Sequence, residues 1–104
     1  MSEQDIEKEI QKLELNAPRL TPEHIDSVID ESHFYVVPGT TTTLCCLILK
    51  NGFTVTGSSA CASPENFNAD LGEKIAFNNA RGKIWDLEGY LLKERLFVSQ
   101  ALKA

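Results

Sequence analysis

Three cysteines, two histidines and one serine-rich run are the residues of this chain whose chemistry could carry a function. Cys45 and Cys46 are adjacent, and Cys61 stands apart from them. An odd count with two neighbouring members does not make a disulfide framework. Neighbours on a strand point to opposite faces, so Cys45 and Cys46 do not easily grip one metal. His24 and His33 lie at no zinc-ligand spacing from them. Free cysteine packs as a small apolar group, and a buried structural role is expected for all three. Cys61 precedes an expected helix start, where partial positive charge lowers a thiol pKa. Paired with His33 it would form a nucleophile and base, but no third residue is evident to orient them. Carboxylate pairs offer less. Asp86 and Glu88, two apart on a helix, do not face each other, and Asp26 and Asp30 share a face that reads as solvated surface. Neither a phosphate-loop Gly-x-x-x-x-Gly-Lys nor a Gly-x-Ser-x-Gly elbow occurs. Catalysis is therefore not expected, no cofactor or metal is implied, and a Cys61-dependent enzyme stands as an alternative.

The run Gly57-Ser58-Ser59-Ala60-Cys61-Ala62-Ser63 suggests binding instead. A small-residue loop that leads from a strand into a helix offers backbone N–H groups to an anion. Ser58, Ser59 and Ser63 would add hydroxyl donors. Asn78, Asn79 and Arg81 would supply polar or charged contacts from downstream, and Tyr35 or Trp85 would stack on a planar ligand. The plainer reading is a connection, with Ser63 as helix cap, Asn78 and Asn79 toward solvent, and Trp85 and Tyr90 in a core or interface.

These residues need elements to hold them. Ile6, Ile10 and Leu13 recur at helical spacing and predict a helix over 3–15, ended by Asn16-Ala17-Pro18. Thr21-Pro22-Glu23 has the grammar of a helix start, with Ile25, Val28 and Ile29 lining one face to about Ser32. Phe34–Val37 is β-prone and stops at Pro38-Gly39. Thr41–Leu49 reads as a strand, and Asn51-Gly52 as a two-residue type I′ turn. Phe53 to about Ser59 should then return antiparallel. On the outgoing strand Leu44, Cys46 and Ile48 face one way, and Cys45, Leu47 and Leu49 the other. Ser63-Pro64-Glu65 repeats the start signal and opens a long helical region, with an interruption expected near Gly82 or Gly89. The order gives an α+β fold: N-terminal helices, a small antiparallel sheet with an Asn-Gly hairpin, and a long C-terminal helical region. A sheet with one helical layer leaves an apolar face uncovered, which implies a homo-oligomer.

Several of these stretches carry a resemblance. Asn51-Gly52-Phe53-Thr54-Val55-Thr56-Gly57-Ser58-Ser59-Ala60-Cys61, then Pro64–Asn68, Gly72 with Lys74-Ile75-Ala76, Asn79-Ala80 and Ile84-Trp85-Asp86-Leu87-Glu88-Gly89-Tyr90-Leu91 are involved. Together they resemble a gp-forty-nine-like family of small tailed-phage proteins, over roughly Thr21 to Leu96. The resemblance implies a phage-encoded accessory protein working in the cytoplasm of an infected bacterium. It brings no established catalytic or binding residues.

Length and charge bound what remains. The 104 residues fit a single domain over 1–104, an acidic helical arm at 1–20 and a compact α+β core at 21–104. No apolar run is long enough to span a membrane, and the acidic start is unlike a secretory signal. Residues 1–32 hold nine acids and three bases, whereas 33–63 hold only Lys50, and 64–104 balance six against six. The net −5 thus belongs to the N-terminal third. Generic nucleic-acid binding is not expected without a basic stripe. A small anionic ligand of nucleotide type, held for host takeover or counter-defence, is compatible with a balanced core. The alternative is an inhibitor whose acidic segment blocks a basic surface of a host nucleic-acid enzyme.

Overall fold

The computed structural model describes residues 2–13 and 17–103. Its elements are α1 (Glu3–Lys12), α2 (Pro22–Ser27), β1 (Ile29–Val36), β2 (Thr43–Leu49), β3 (Thr54–Ser59), a single 3₁₀ turn (Pro64–Asn66) and α3 (Ala69–Lys103). This is an α+β fold with a three-stranded antiparallel sheet in the order β1-β2-β3. The chain forms two compact units, Val28–Ile84, and Met1–Ser27 with Trp85–Ala104.

In the unit Val28–Ile84, the side-chain alternation of β2 is the one its sequence predicts. Thr43, Cys45, Leu47 and Leu49 are buried against the helical layer, while Leu44 is exposed and Cys46 and Ile48 are half-buried. Ala76, Ala80 and Ile84, one turn apart on α3, are fully buried. The helix meets the sheet at Gly57, where an added Cβ would lie 2.3 Å from Ala80 N and 2.5 Å from Ala76 O. Glycine is required here because two backbones touch.

The hairpin turn is one residue longer than a type I′ turn. Gly52 N–H donates to Leu49 C=O and Leu49 N–H to Phe53 C=O, each at 2.8 Å. Gly52 takes the left-handed conformation (φ 89°). Lys50 and Asn51 therefore sit at the centre of the turn, and Gly52 re-aligns the strands, as three-residue loops do. Asn51 Oδ1 accepts the Phe53 N–H.

Three other boundaries differ from expectation. The second helix stops at Ser27, and Ile29–Ser32 belong to β1, because pairing from Ile29↔Leu49 to Val36↔Thr43 uses the full length of β2. The ladder overrides local preference here, since Asp30 and Glu31 are not strand formers. The start signal at Ser63 yields only the 3₁₀ turn. The N-terminal turn of α3 is held by Asn68, whose Oδ1 accepts the Leu71 N–H at 3.0 Å. Finally, α3 runs unbroken through Gly72, Gly82 and Gly89, since the long element offsets about 1 kcal/mol per glycine with its packed stripe.

In the other unit, Ser2 and Asp5 form a capping box on α1. The helix ends at Lys12 with Leu13 as its C-cap, short of the expected end at 15, and residues 14–16 lie outside the described residues. The acidic segment is not simply solvated. Glu7 is buried and both its carboxylate oxygens accept from Arg19 Nη1. Glu3 Oε2 accepts from Trp85 Nε1 at 2.9 Å, and His24 Nε2 sits 2.5 Å from Glu88 Oε1.

Candidate functional site

A concavity in Val28–Ile84 lies over the sheet face that α3 does not cover. It has a volume of about 650 Å³, within the range of small-molecule sites. Strand register assembles it. His33 pairs with Cys46 and Tyr35 with Leu44 across β1 and β2, and Cys46 pairs with Thr56 and Leu44 with Ser58 across β2 and β3. These six side chains stand on one face because paired residues of a sheet point the same way. Asn79 and Lys83, one helical turn apart on α3, line it at the β3 side, and Phe34, Cys45 and Gly57 contribute from between the strand residues. Asn79 Nδ2 donates to the Ser58 carbonyl at 2.8 Å, which fixes that corner. Tyr35 is 57% exposed, so its ring is available for stacking. Lys83 is the one lining residue with a formal charge at neutral pH.

Of the seven residues proposed from sequence, Tyr35, Ser58 and Asn79 come together in this groove. The other four lie elsewhere. Ser59 faces the helical side, where its Oγ donates to the Gly72 carbonyl at 2.7 Å. Ser63 Oγ donates to the Glu65 carboxylate, and this bond holds the Glu65 carboxyl below the usual carboxylate range. Asn78 lines a separate hollow with Phe34, Lys74 and Phe77. Arg81 is half-buried and outside the groove lining. The loop Gly57–Ser63 does not lead into an α-helix N-terminus, because Gly57–Ser59 are strand and Asn68 stands before α3.

His33, Leu44, Cys46, Thr56 and Lys83 also line it and were not singled out from sequence, although spacing points to two of them. His33 is two before Tyr35 on a strand and shares its face, and Lys83 is four after Asn79 on a helix. Cys61 and His33 line different cavities. The Cys61 thiol donates to the Ser63 carbonyl at 3.0 Å, and the Cys61 N–H donates to Thr41 Oγ1. Cys45 is buried, and burial, with Cys46 and Glu73 nearby, pushes its thiol pKa up. Among the described residues no group of three or more His, Cys, Asp or Glu is arranged to hold a metal.

Fold and groove define a small α+β protein with an open, polar-rimmed sheet face. The chain belongs to the Phage protein (N4 Gp49/phage Sf6 gene 66) family, whose model it matches over residues 20–96. No curated protein and no solved structure matches it. No helix among the described residues is long and apolar enough to cross a membrane.

Proposed function

We propose that this phage protein is a non-enzymatic accessory protein that acts by binding, as a homo-oligomer in the cytoplasm of the infected host. Its groove takes a small planar anion of nucleotide type, and sequestering that ligand serves host takeover or counter-defence. The observation that carries this reading is the convergence of Tyr35, Ser58 and Asn79 with His33 and Lys83 around one cavity. Tyr35 offers an aromatic face to a base. Lys83 offers a point charge to a phosphate, and Ser58 and Thr56 offer hydroxyls. Leu44 and Cys46 form an apolar floor, which suits a ring better than an extended polyanion. The thiol of Cys61 is engaged with a carbonyl, which favours binding over nucleophilic chemistry.

Isothermal titration with nucleoside mono-, di- and cyclic phosphates is the test. Binding by at least one of them is expected, with Tyr35→Ala and Lys83→Glu each weakening it about tenfold or more, in keeping with the loss of one stacking or charge contact. No heat and no thermal shift across the panel would refute the reading.

A further inference from the structure

The two edges of the sheet are not alike. Val37 N–H donates to Thr42 C=O, and Lys50 N–H to Val28 C=O. Alternation along an antiparallel ladder then turns the N–H and C=O groups of Glu31, His33 and Tyr35 toward β2, and those of Ser32, Phe34 and Val36 outward. At the other edge the Leu49–Phe53 bond sets the phase, so the Ser58 carbonyl points outward. That carbonyl accepts from Asn79, so α3 occupies the Ser58 end of the β3 edge. On β1 every residue from Asp30 to Val36 is exposed. Edge strands are commonly blunted by charge, proline or a bulge. Here the bulge and the charges Asp30-Glu31 stand at one end and Pro38 beyond the other, and Ser32–Val36 carries none of these.

We propose that Ser32–Val36 pairs antiparallel with the same stretch of a second copy, about a two-fold axis at Phe34. In that register Ser32 meets Val36 and Phe34 meets Phe34, each pair exchanging two hydrogen bonds, about six in all. Apolar rings face each other on the helical side. A slip to an axis at His33 sets two imidazoles opposite each other and retains about four of those bonds. Parallel pairing would stack Asp30 on Asp30 and Glu31 on Glu31, which is repulsive. In the antiparallel register this acidic start passes the neutral Val37 and Pro38 of the second copy. The charge pattern and the self-matching register fit another copy of this chain better than an unrelated peptide. On the groove face Tyr35 comes opposite His33 of the second copy, so each groove gains an imidazole from the other. The inference rests on the homo-oligomer reading above and makes the binding site composite.

Sedimentation equilibrium of the full chain, from about 1 to 100 µM to cover moderate affinity, is expected to reach twice the 11.5 kDa chain mass. Phe34→Lys and Phe34→Glu each place like charges on the axis and are expected to be monomers with unchanged far-UV circular dichroism. Mixed in equal amounts, they should re-form a dimer, which only a residue on the two-fold can do. Ser32→Pro removes an outward N–H without touching the β1–β2 ladder. It should raise the dissociation constant about tenfold, and it decides the matter if the Phe34 variants do not fold. Self-association unchanged in all three variants overturns this interface while leaving the homo-oligomer reading in place. A monomer at every concentration overturns both, and the nucleotide titration then judges the groove separately.

Discussion

Replacing Gly57 with alanine puts one methyl group where the helix backbone already is. The new Cβ would lie 2.3 Å from Ala80 N, 2.5 Å from Ala76 O and 2.9 Å from Ala80 Cα. Ordinary contact needs about 3.5 Å or more, so helix and strand must separate by roughly 1 Å. A gap of that size forfeits about a quarter to a half of the dispersion energy of the facing atoms. The atoms concerned belong to Ala76, Ala80 and Ile84 against Cys45, Leu47 and Val55, which are the buried apolar centre of this unit. Overpacking typically costs about 1–3 kcal/mol, and contact with backbone on both sides argues for the top of that range. Loss of glycine's freedom in the unfolded chain returns about 0.4–1 kcal/mol. The net expectation is a loss of about 2–3 kcal/mol, or a midpoint lowered by roughly 10–20 °C for a domain of this size. Gly82 supplies the opposite sign. Nothing lies within 4 Å of its Cβ position, and alanine there should stabilise the helix by about 1 kcal/mol. Thermal melts followed by circular dichroism check both. A midpoint for Gly57→Ala within about 2 °C of the parent, less than 1 kcal/mol, would refute the claim that helix and strand touch there.

Two further changes follow from buried groups in the same unit. Thr43 is fully buried, and its hydroxyl has no hydrogen-bond partner among the described residues. The isosteric Thr43→Val removes an unsatisfied polar atom and should raise stability by up to about 1–2 kcal/mol in urea unfolding, where a decrease would contradict the assignment. Cys45 is 1% exposed and its thiol pKa is raised. Native alkylation near pH 8 should therefore label Cys46 and Cys61 and spare Cys45 until denaturant is added, read by mass spectrometry of peptides. The sign for stability is that the folded state holds this proton more tightly. Its contribution is full below the ordinary thiol value of 9.0 and is lost as pH rises above it.

How much of this was legible depended on whether local chemistry or long-range contact decided the outcome. The two faces of β2 were readable because Leu44–Leu49 can pair only with a period of two, whichever strand it meets. The family match at residues 20–96 likewise agrees with the resemblance seen from Thr21 to Leu96. The extent of β1 was not readable, because Ile29 continues a helical apolar stripe as well as it starts a strand. Only the length of β2 decides between them. Ser63-Pro64-Glu65 has the right residues for a helix start, yet the Ser63 hydroxyl turns to the Glu65 carboxylate and caps no backbone N–H, and Asn68 holds the first turn of α3. Gly57 was read as part of a ligand loop. Its position inside a β-branched strand was the sign of close backbone approach. The groove has the same limit: helical spacing sets Lys83 beside Asn79, but only the packing of α3 on β3 brings that pair to Ser58.

Charge separates the two binding readings that the sequence leaves open. An inhibitor using the acidic residues of 1–32 would meet its partner through many exposed charges, and its affinity would fall steeply with salt, since such pairs are screened over about 8–10 Å. Part of that acidity is already committed, because Glu7 is buried on Arg19 and Glu3 accepts from Trp85. A ligand in the sheet groove meets one formal cation, Lys83, with Tyr35, Ser58 and Leu44 making contacts that salt does not screen. Raising ionic strength from about 0.05 to 0.2 M should therefore change the affinity of a bound nucleotide only a few-fold. Apolar stacking should hold the remainder. A loss of a hundredfold over that interval would mean that several charges are neutralised together, and the groove would then not be where the ligand sits.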